Sequence, residues 1–203
     1  MRPKRNDNEL AIRVGPFSWD SSSNHWIVVG PSRAGKDSVL RYAMARFAGD
    51  DRFVFPRRCV TRPVKTAAED HDSLDEQAFD ELAGQGAFVL RWEAHGHKYG
   101  VRSAINAYLE AGRIVAVNIS RTIINEAASQ YQNAVIAEIA ADQRVRAARL
   151  AARGREAGSD ILLRTQRQIV TSAHSLQVCV IKNDGDISDA GEEFCKLLAG
   201  LRP

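Results

Sequence analysis

The 203-residue sequence predicts an α/β fold, a mostly parallel sheet flanked by helices. Three observations carry that prediction. Short apolar runs suited to buried strands alternate with longer stretches of helical periodicity. The first strand runs directly into a glycine loop and a helix, WIVVGPSRAGKDSVL at 26–40. The clearest strand candidate, RIVAVNI at 113–119, is followed by a helix from about Thr122, as a parallel crossover requires.

Along the chain, Trp26 to Val29 reads as a short buried strand. Ser38 to Phe47 has helical spacing through Val39, Leu40, Ala43 and Phe47. A second apolar piece, FVF at 53–55, leads into RRCVTRP. Asp75 reads as the N-cap of a helix that ends near Gly84-Gln-Gly86. AFVLRW and HKYGV read as two strands joined by the Ala94-His-Gly96 turn. Ser103 to Gly112 is a helix with a glycine stop, and AVIAEIA at 134–140 is another strand. The segment 141–172 is helical apart from a break at RGREAGSD. VCVIKN at 178–183 is the last strand, and Ser188 or Asp189 starts a closing helix.

Composition sets the class. Apolar residues make up 44% and charged residues 26%, ordinary for a soluble domain. We expect a flexible lead-in over 1–24 and one domain over 25–203. The net charge of +3 does not by itself argue for nucleic acid, and we expect no nucleic-acid partner. Three scattered cysteines without metal spacing read as reduced thiols of a cytoplasmic protein, Cys59 and Cys179 as small core residues. No apolar run approaches the ~18 residues of a membrane span, so no membrane partner is expected. The oligomeric state stays open, a homodimer included.

Gly30-Pro31-Ser32-Arg33-Ala34-Gly35-Lys36 has the spacing in which backbone N–H groups turn inward around a phosphate chain. Lys36 then reaches the outer phosphates, and the following helix aims its positive end at them. The next residue is Asp37, where such loops usually carry a hydroxyl that ligates Mg²⁺. A carboxylate can hold the ion too, directly or through water. A blander role, favouring the helix N-terminus electrostatically, stays open. Ser38 would point about 100° further round the helix and is no free substitute.

Further on, Arg149 and Arg153 lie four apart and share a helix face. With Arg155 and Arg164 they place four guanidiniums in the sixteen positions 149 to 164. Beside a phosphate loop these read as a cationic lid, about 144–165, over transferring phosphate. His95-x-His97 lacks a carboxylate or cysteine partner and reads as a turn rather than a metal pair.

From about Trp26 to Leu198 the chain resembles the guanylate kinase group of P-loop nucleoside monophosphate kinases. Val60-Thr61-Arg62-Pro63 resembles the stretch that grips the acceptor phosphate in that group. Asp70-His71 falls where the group has Asp-Tyr, and Asp75 to Phe79 replaces its helix start. Gly96-His-Lys-Tyr99-Gly100 resembles a motif whose tyrosine reaches the same phosphate. Arg149 to Arg164 resembles its lid, and Asn183-Asp184 its Asn-Asp, near where adenine is held. The resemblance implies a P-loop kinase fold with an acceptor-binding subdomain at about 57–100.

Two departures point away from GMP. Arg91 stands where the group reads guanine with a glutamate, and the following loop is one residue shorter. The strand that should end Asp-x-Asp ends Asn118-Ile-Ser120-Arg121. A guanine edge loses its acceptors there, and unmatched buried polar groups are costly. The combined pattern resembles the ribose 1,5-bisphosphate phosphokinase (PhnN) branch, apart from Arg33, where glycine is usual. That branch implies transfer from ATP, with Mg²⁺, to ribose 1,5-bisphosphate in phosphonate breakdown. On this reading Lys36, Arg153 and Arg164, with Arg149 and Arg155, serve the transferring group. Residues 30–38 and Asn183 hold ATP. Arg62, His71 and Tyr99 grip the acceptor, with Arg91, Asn118 and Arg121; the arginines at 91 and 121 are equally readable as surface residues. A nucleoside monophosphate kinase and a non-catalytic binding module are the alternatives. The module typically lacks the loop lysine or lid arginines present here.

Overall fold

The computed structural model describes residues 24–63, 71–151 and 176–200. All of the expected lead-in but Asn24, and most of the expected lid, with Arg153, Arg155 and Arg164, lie outside these residues.

The first sheet has five strands, ordered β2 (Phe53–Val54), β7 (Ile114–Asn118), β1 (His25–Val29), β8 (Val135–Ala140) and β9 (Gln177–Lys182). Every pairing in it is parallel. Strands buried on both faces explain why their sequences read as continuous apolar runs rather than alternating ones. One face is covered by α1 (Lys36–Arg46) and α6 (Ile187–Leu198), with Val39, Ala43 and Phe194 fully buried against Trp26, Val28 and Ile139. The two helices meet closely at Gly191, where any Cβ would enter the Tyr42 ring. The Tyr42 hydroxyl also donates to Glu192 at 2.8 Å.

The second sheet orders β4 (His71–Ser73), β3 (Arg58–Val60), β6 (His97–Arg102) and β5 (Phe88–Ala94). It is mixed, with β3 and β4 parallel and the other pairs antiparallel. Its inner face brings Val60, Leu90, Trp92, Tyr99 and Val101 into one core with Ile27, Val29, Val115 and Val117 of the first sheet. The β5–β6 hairpin closes on His95 and Gly96, both at positive φ, as a two-residue turn demands. Asp75 caps α2 (Glu76–Gly84) by accepting from Ala78 N at 2.7 Å, as its sequence predicts.

The remaining helices are α3 (Ile105–Glu110), α4 (Ile124–Gln130), entered through a 3₁₀ turn at Arg121–Ile123, and α5 (Gln143–Ala151). The closing helix starts a residue or two earlier than its sequence suggests, because Asp186 is the cap and accepts from Ser188 N. All three cysteines are free and buried, as small core residues should be. No helix among the described residues is long and apolar enough to cross a membrane.

Candidate active site

β1 runs into the glycine loop, and the loop into α1, so residues 30–38 lie at the carboxyl end of the parallel sheet. That is where ligands bind in open α/β folds. Gly30 sits at φ 149°, and a Cβ on it would collide with the Ile139 carbonyl of β8. Gly35 sits at φ 93° and caps α1 in the left-handed region. Arg33 also takes a positive φ, 67°, the conformation that glycine adopts without steric cost. Glycine is therefore the physically favoured residue at this position, and arginine is the strained one.

Lys36 curls back over the loop and donates to the carbonyls of Gly30 and Pro31, at 3.0 and 3.1 Å. Burial pushes its ammonium down to about 8; Asp37 opposes the shift, and the fields of Arg58 and Arg121 add to it. A phosphate chain seated in the loop would take over the donors now spent on these carbonyls.

Asp37 is largely exposed, 65% by side chain, yet one of its oxygens is engaged twice. Asn118 Nδ2 donates to Oδ1 at 2.7 Å, and Arg58 donates to the same atom at 3.3 Å. Asn118 Oδ1 is buried with no hydrogen-bond partner. An exposed carboxylate and an orphaned amide oxygen, on two hydrogen-bonded side chains, suit Mg²⁺. That ion takes oxygen ligands and fills most of its octahedron with phosphate and water. Among the described residues no group of three or more His, Cys, Asp or Glu side chains could hold a metal.

The structure brings together some of the residues singled out from sequence and separates others. Asn118 ends β7 beside Asp37, on the nucleotide side rather than in the acceptor sheet. Arg121, three residues past β7, is near enough to lower Lys36 and to oppose the rise that burial imposes on the Glu138 carboxyl. Tyr99 is buried and stacked on Trp92, with ring centroids 5.2 Å apart. Arg91 is exposed between buried Leu90 and Trp92, so by strand alternation it faces away from Tyr99. His71 is buried, with Nε2 3.1 Å from the Arg62 carbonyl, and Ser73 Oγ donates to that carbonyl at 2.9 Å. The ring thus pins the strand end that carries Arg62. His97 spends Nδ1 on the Thr61 carbonyl at 2.9 Å, which explains the His95-x-His97 pair as turn structure. Arg149 comes off α5 with its Nη1 3.8 Å from where a Cβ on Gly35 would sit. Asn183 is 2% exposed and donates Nδ2 to the Ala34 carbonyl at 2.7 Å, beneath the loop.

Arg58 is the functional candidate that sequence reading passed over. Its side chain is 19% exposed and reaches Asp37 from the acceptor sheet. No sequence signal marks it: β3 is three residues long, and Cys59 and Val60 are both buried, so no alternation shows.

No protein-family model matches the chain. The structure is similar to a crystal structure of guanylate kinase from Anaplasma phagocytophilum, with a TM-score of 0.66 at 15% identity, covering 88% of this chain and 85% of that one. That likeness shows the fold. The sequence is 38% identical over 172 residues to the ribose 1,5-bisphosphate phosphokinase PhnN of Agrobacterium fabrum, covering 85% of this chain and 94% of that protein. It is 42% identical over 176 residues to the protein of that name from Methylobacterium radiotolerans, covering 87% and 96%. With that identity sustained over nearly the whole length of both relatives, the chain belongs to the ribose 1,5-bisphosphate phosphokinase PhnN family.

Proposed function

We infer that this protein transfers the γ-phosphoryl group of ATP to ribose 1,5-bisphosphate, giving 5-phosphoribosyl 1-diphosphate and ADP, a step of phosphonate degradation. The observation that carries the reading is the 38–42% identity, over 85–87% of this chain, to relatives bearing that name. The cation-rich loop mouth is what this chemistry calls for.

An acceptor phosphate oxygen attacks the γ-phosphorus as the bond to the ADP oxygen breaks. That nucleophile is already deprotonated near neutral pH, so no general base is needed. Catalysis reduces to bringing two polyanions into line and spreading charge over the transferring group. Lys36 exchanges its loop carbonyls for phosphate oxygens, while Arg149, joined by Arg153, Arg155 and Arg164, covers the transferring group. Arg62 and Tyr99 grip the acceptor, with His71 holding Arg62 in place. Arg121 adds positive charge where donor and acceptor meet. Asp37 and Asn118 would hold Mg²⁺, which neutralises the β- and γ-phosphate oxygens.

The test is ³¹P NMR of the purified protein with ATP, Mg²⁺ and either ribose 1,5-bisphosphate or GMP. A new diphosphate signal with the sugar alone is expected. Turnover of GMP with none of the sugar would replace this reading by a nucleoside monophosphate kinase.

A further inference from the structure

Asn183 and Asp184 sit where β9 ends, and the resemblance of sequence associates this pair with adenine. The geometry gives them another task. Asn183 is 2% exposed, and its side-chain amide points under the phosphate loop to donate to Ala34 O at 2.7 Å. Its backbone N–H continues the β8–β9 ladder by donating to Ala140 O at 2.8 Å. The next residue reaches the opposite way: Asp184 Oδ1 accepts from the backbone N–H of Asp142. Asp142 in turn caps α5, accepting from Arg144 N at 2.8 Å through its side chain and from Arg146 N at 3.0 Å through its carbonyl. Two consecutive residues therefore bind the loop on one side and the foot of α5 on the other.

The consequence appears at Gly35. A Cβ there would strike Asn183 Nδ2, and Arg149 Nη1 of α5 lies 3.8 Å from the same point. Asn183 Oδ1 and Arg149 Nη1 are both buried without a hydrogen-bond partner. A donor held dry against the loop is suited to a phosphate oxygen, because its bond is strongest where water does not compete.

We propose that Asn183 and Asp184 are positioning residues for the nucleotide's phosphates: a clamp that fixes the phosphate loop against α5 and sets the Arg149 guanidinium beside Gly35. They act through loop and helix, and the base plays no part in their effect. The proposal rests on the reading above only in taking a nucleotide as phosphate donor. A protein that binds ATP but leaves ribose 1,5-bisphosphate untouched would sink that reading and leave this one standing.

Calorimetry with ATP and with inorganic tripolyphosphate, both with Mg²⁺, separates a base-reading role from a loop-setting one. In Asn183→Asp, which keeps the shape and removes the donor, both ligands should weaken by the same factor, about tenfold. KM for ribose 1,5-bisphosphate should move less than twofold. Asp184→Ala should weaken both ligands likewise, whereas Asp184→Asn, whose side-chain oxygen still accepts from Asp142 N, should bind like the parent. Loss of ATP affinity with tripolyphosphate unchanged in Asn183→Asp would assign Asn183 to the base and overturn the proposal. So would equal behaviour of the two Asp184 variants, a comparison that stands even if Asn183→Asp fails to fold.

Discussion

Asn118 Nδ2 donates to Asp37 Oδ1 at 2.7 Å, joining the carboxyl end of β7 to the first turn of α1 across 81 sequence positions. The bond steadies the carboxylate: Oδ1 accepts from both Asn118 and Arg58, while the side chain as a whole stays 65% exposed. If the pair holds Mg²⁺, Asp37→Ala should raise the Mg²⁺ concentration for half-maximal rate about tenfold and lower kcat with it. Asn118→Ala should move the same midpoint by less, because Asp37 remains. A Mg²⁺ titration of the rate decides the matter, and an unmoved midpoint in Asp37→Ala removes the assignment.

The Asp37–Asn118 bond also shows which parts of the site sequence can carry. The glycine loop was legible because its chemistry is local: glycines, lysine and helix start lie within nine positions and read as one unit. The parallel sheet was legible because its strands are buried on both faces. β3 and β4 were not, since three residues each, RCV and HDS, carry no periodicity to count. Arg58 reaches Asp37, and Arg121 influences Lys36, only after the chain has folded two sheets onto one core, and spacing does not encode such meetings. Asn183 shows the opposite failure. Its motif was visible, but its burial and its bond to Ala34 depend on how β9 sits under the loop.

Lys36 predicts a pH dependence for nucleotide binding. In the empty loop its ammonium titrates at about 8, whereas a bound phosphate chain favours the charged form and raises that value. Above pH 8 the free loop is increasingly neutral and must take up a proton to bind. Affinity is therefore full below about pH 8 and falls as pH rises, by up to tenfold per unit. Calorimetry in two buffers of different ionisation enthalpy should show proton uptake growing between pH 7 and 9. A flat ATP affinity over that range would contradict the Lys36 environment described above.

Arg33 predicts a gain in stability. An L-residue in the left-handed region costs roughly 1–2 kcal/mol, and glycine at the same position gives back about 0.5–1 through greater freedom of the unfolded chain. Arg33→Gly should then stabilise the fold by about 0.5–1 kcal/mol, which at this chain length shifts Tm upward by roughly 1–4 °C. Calorimetric melting without nucleotide reads this directly. A lower Tm would mean that the arginine's own contacts outweigh the backbone strain.

His25 predicts acid lability far from the site. It opens β1, 3% exposed, with both ring nitrogens lacking hydrogen-bond partners, and packs edge-on against Tyr131 at 4.3 Å. Burial pushes its pKa from 6.5 to about 4, so the folded protein keeps the ring neutral while the unfolded chain protonates it. The group's folded value lies below its unfolded one. Its contribution is thus fully present above pH 6.5 and is lost as pH falls toward 4, about 2 kcal/mol of it by pH 5. Urea unfolding at pH 7.5 and pH 5 should show that loss, and His25→Phe, which keeps a ring against Tyr131, should lose about 2 kcal/mol less over the same interval. Identical pH dependence in the two proteins would mean that the imidazole is not held neutral, and that carboxylates elsewhere govern acid stability.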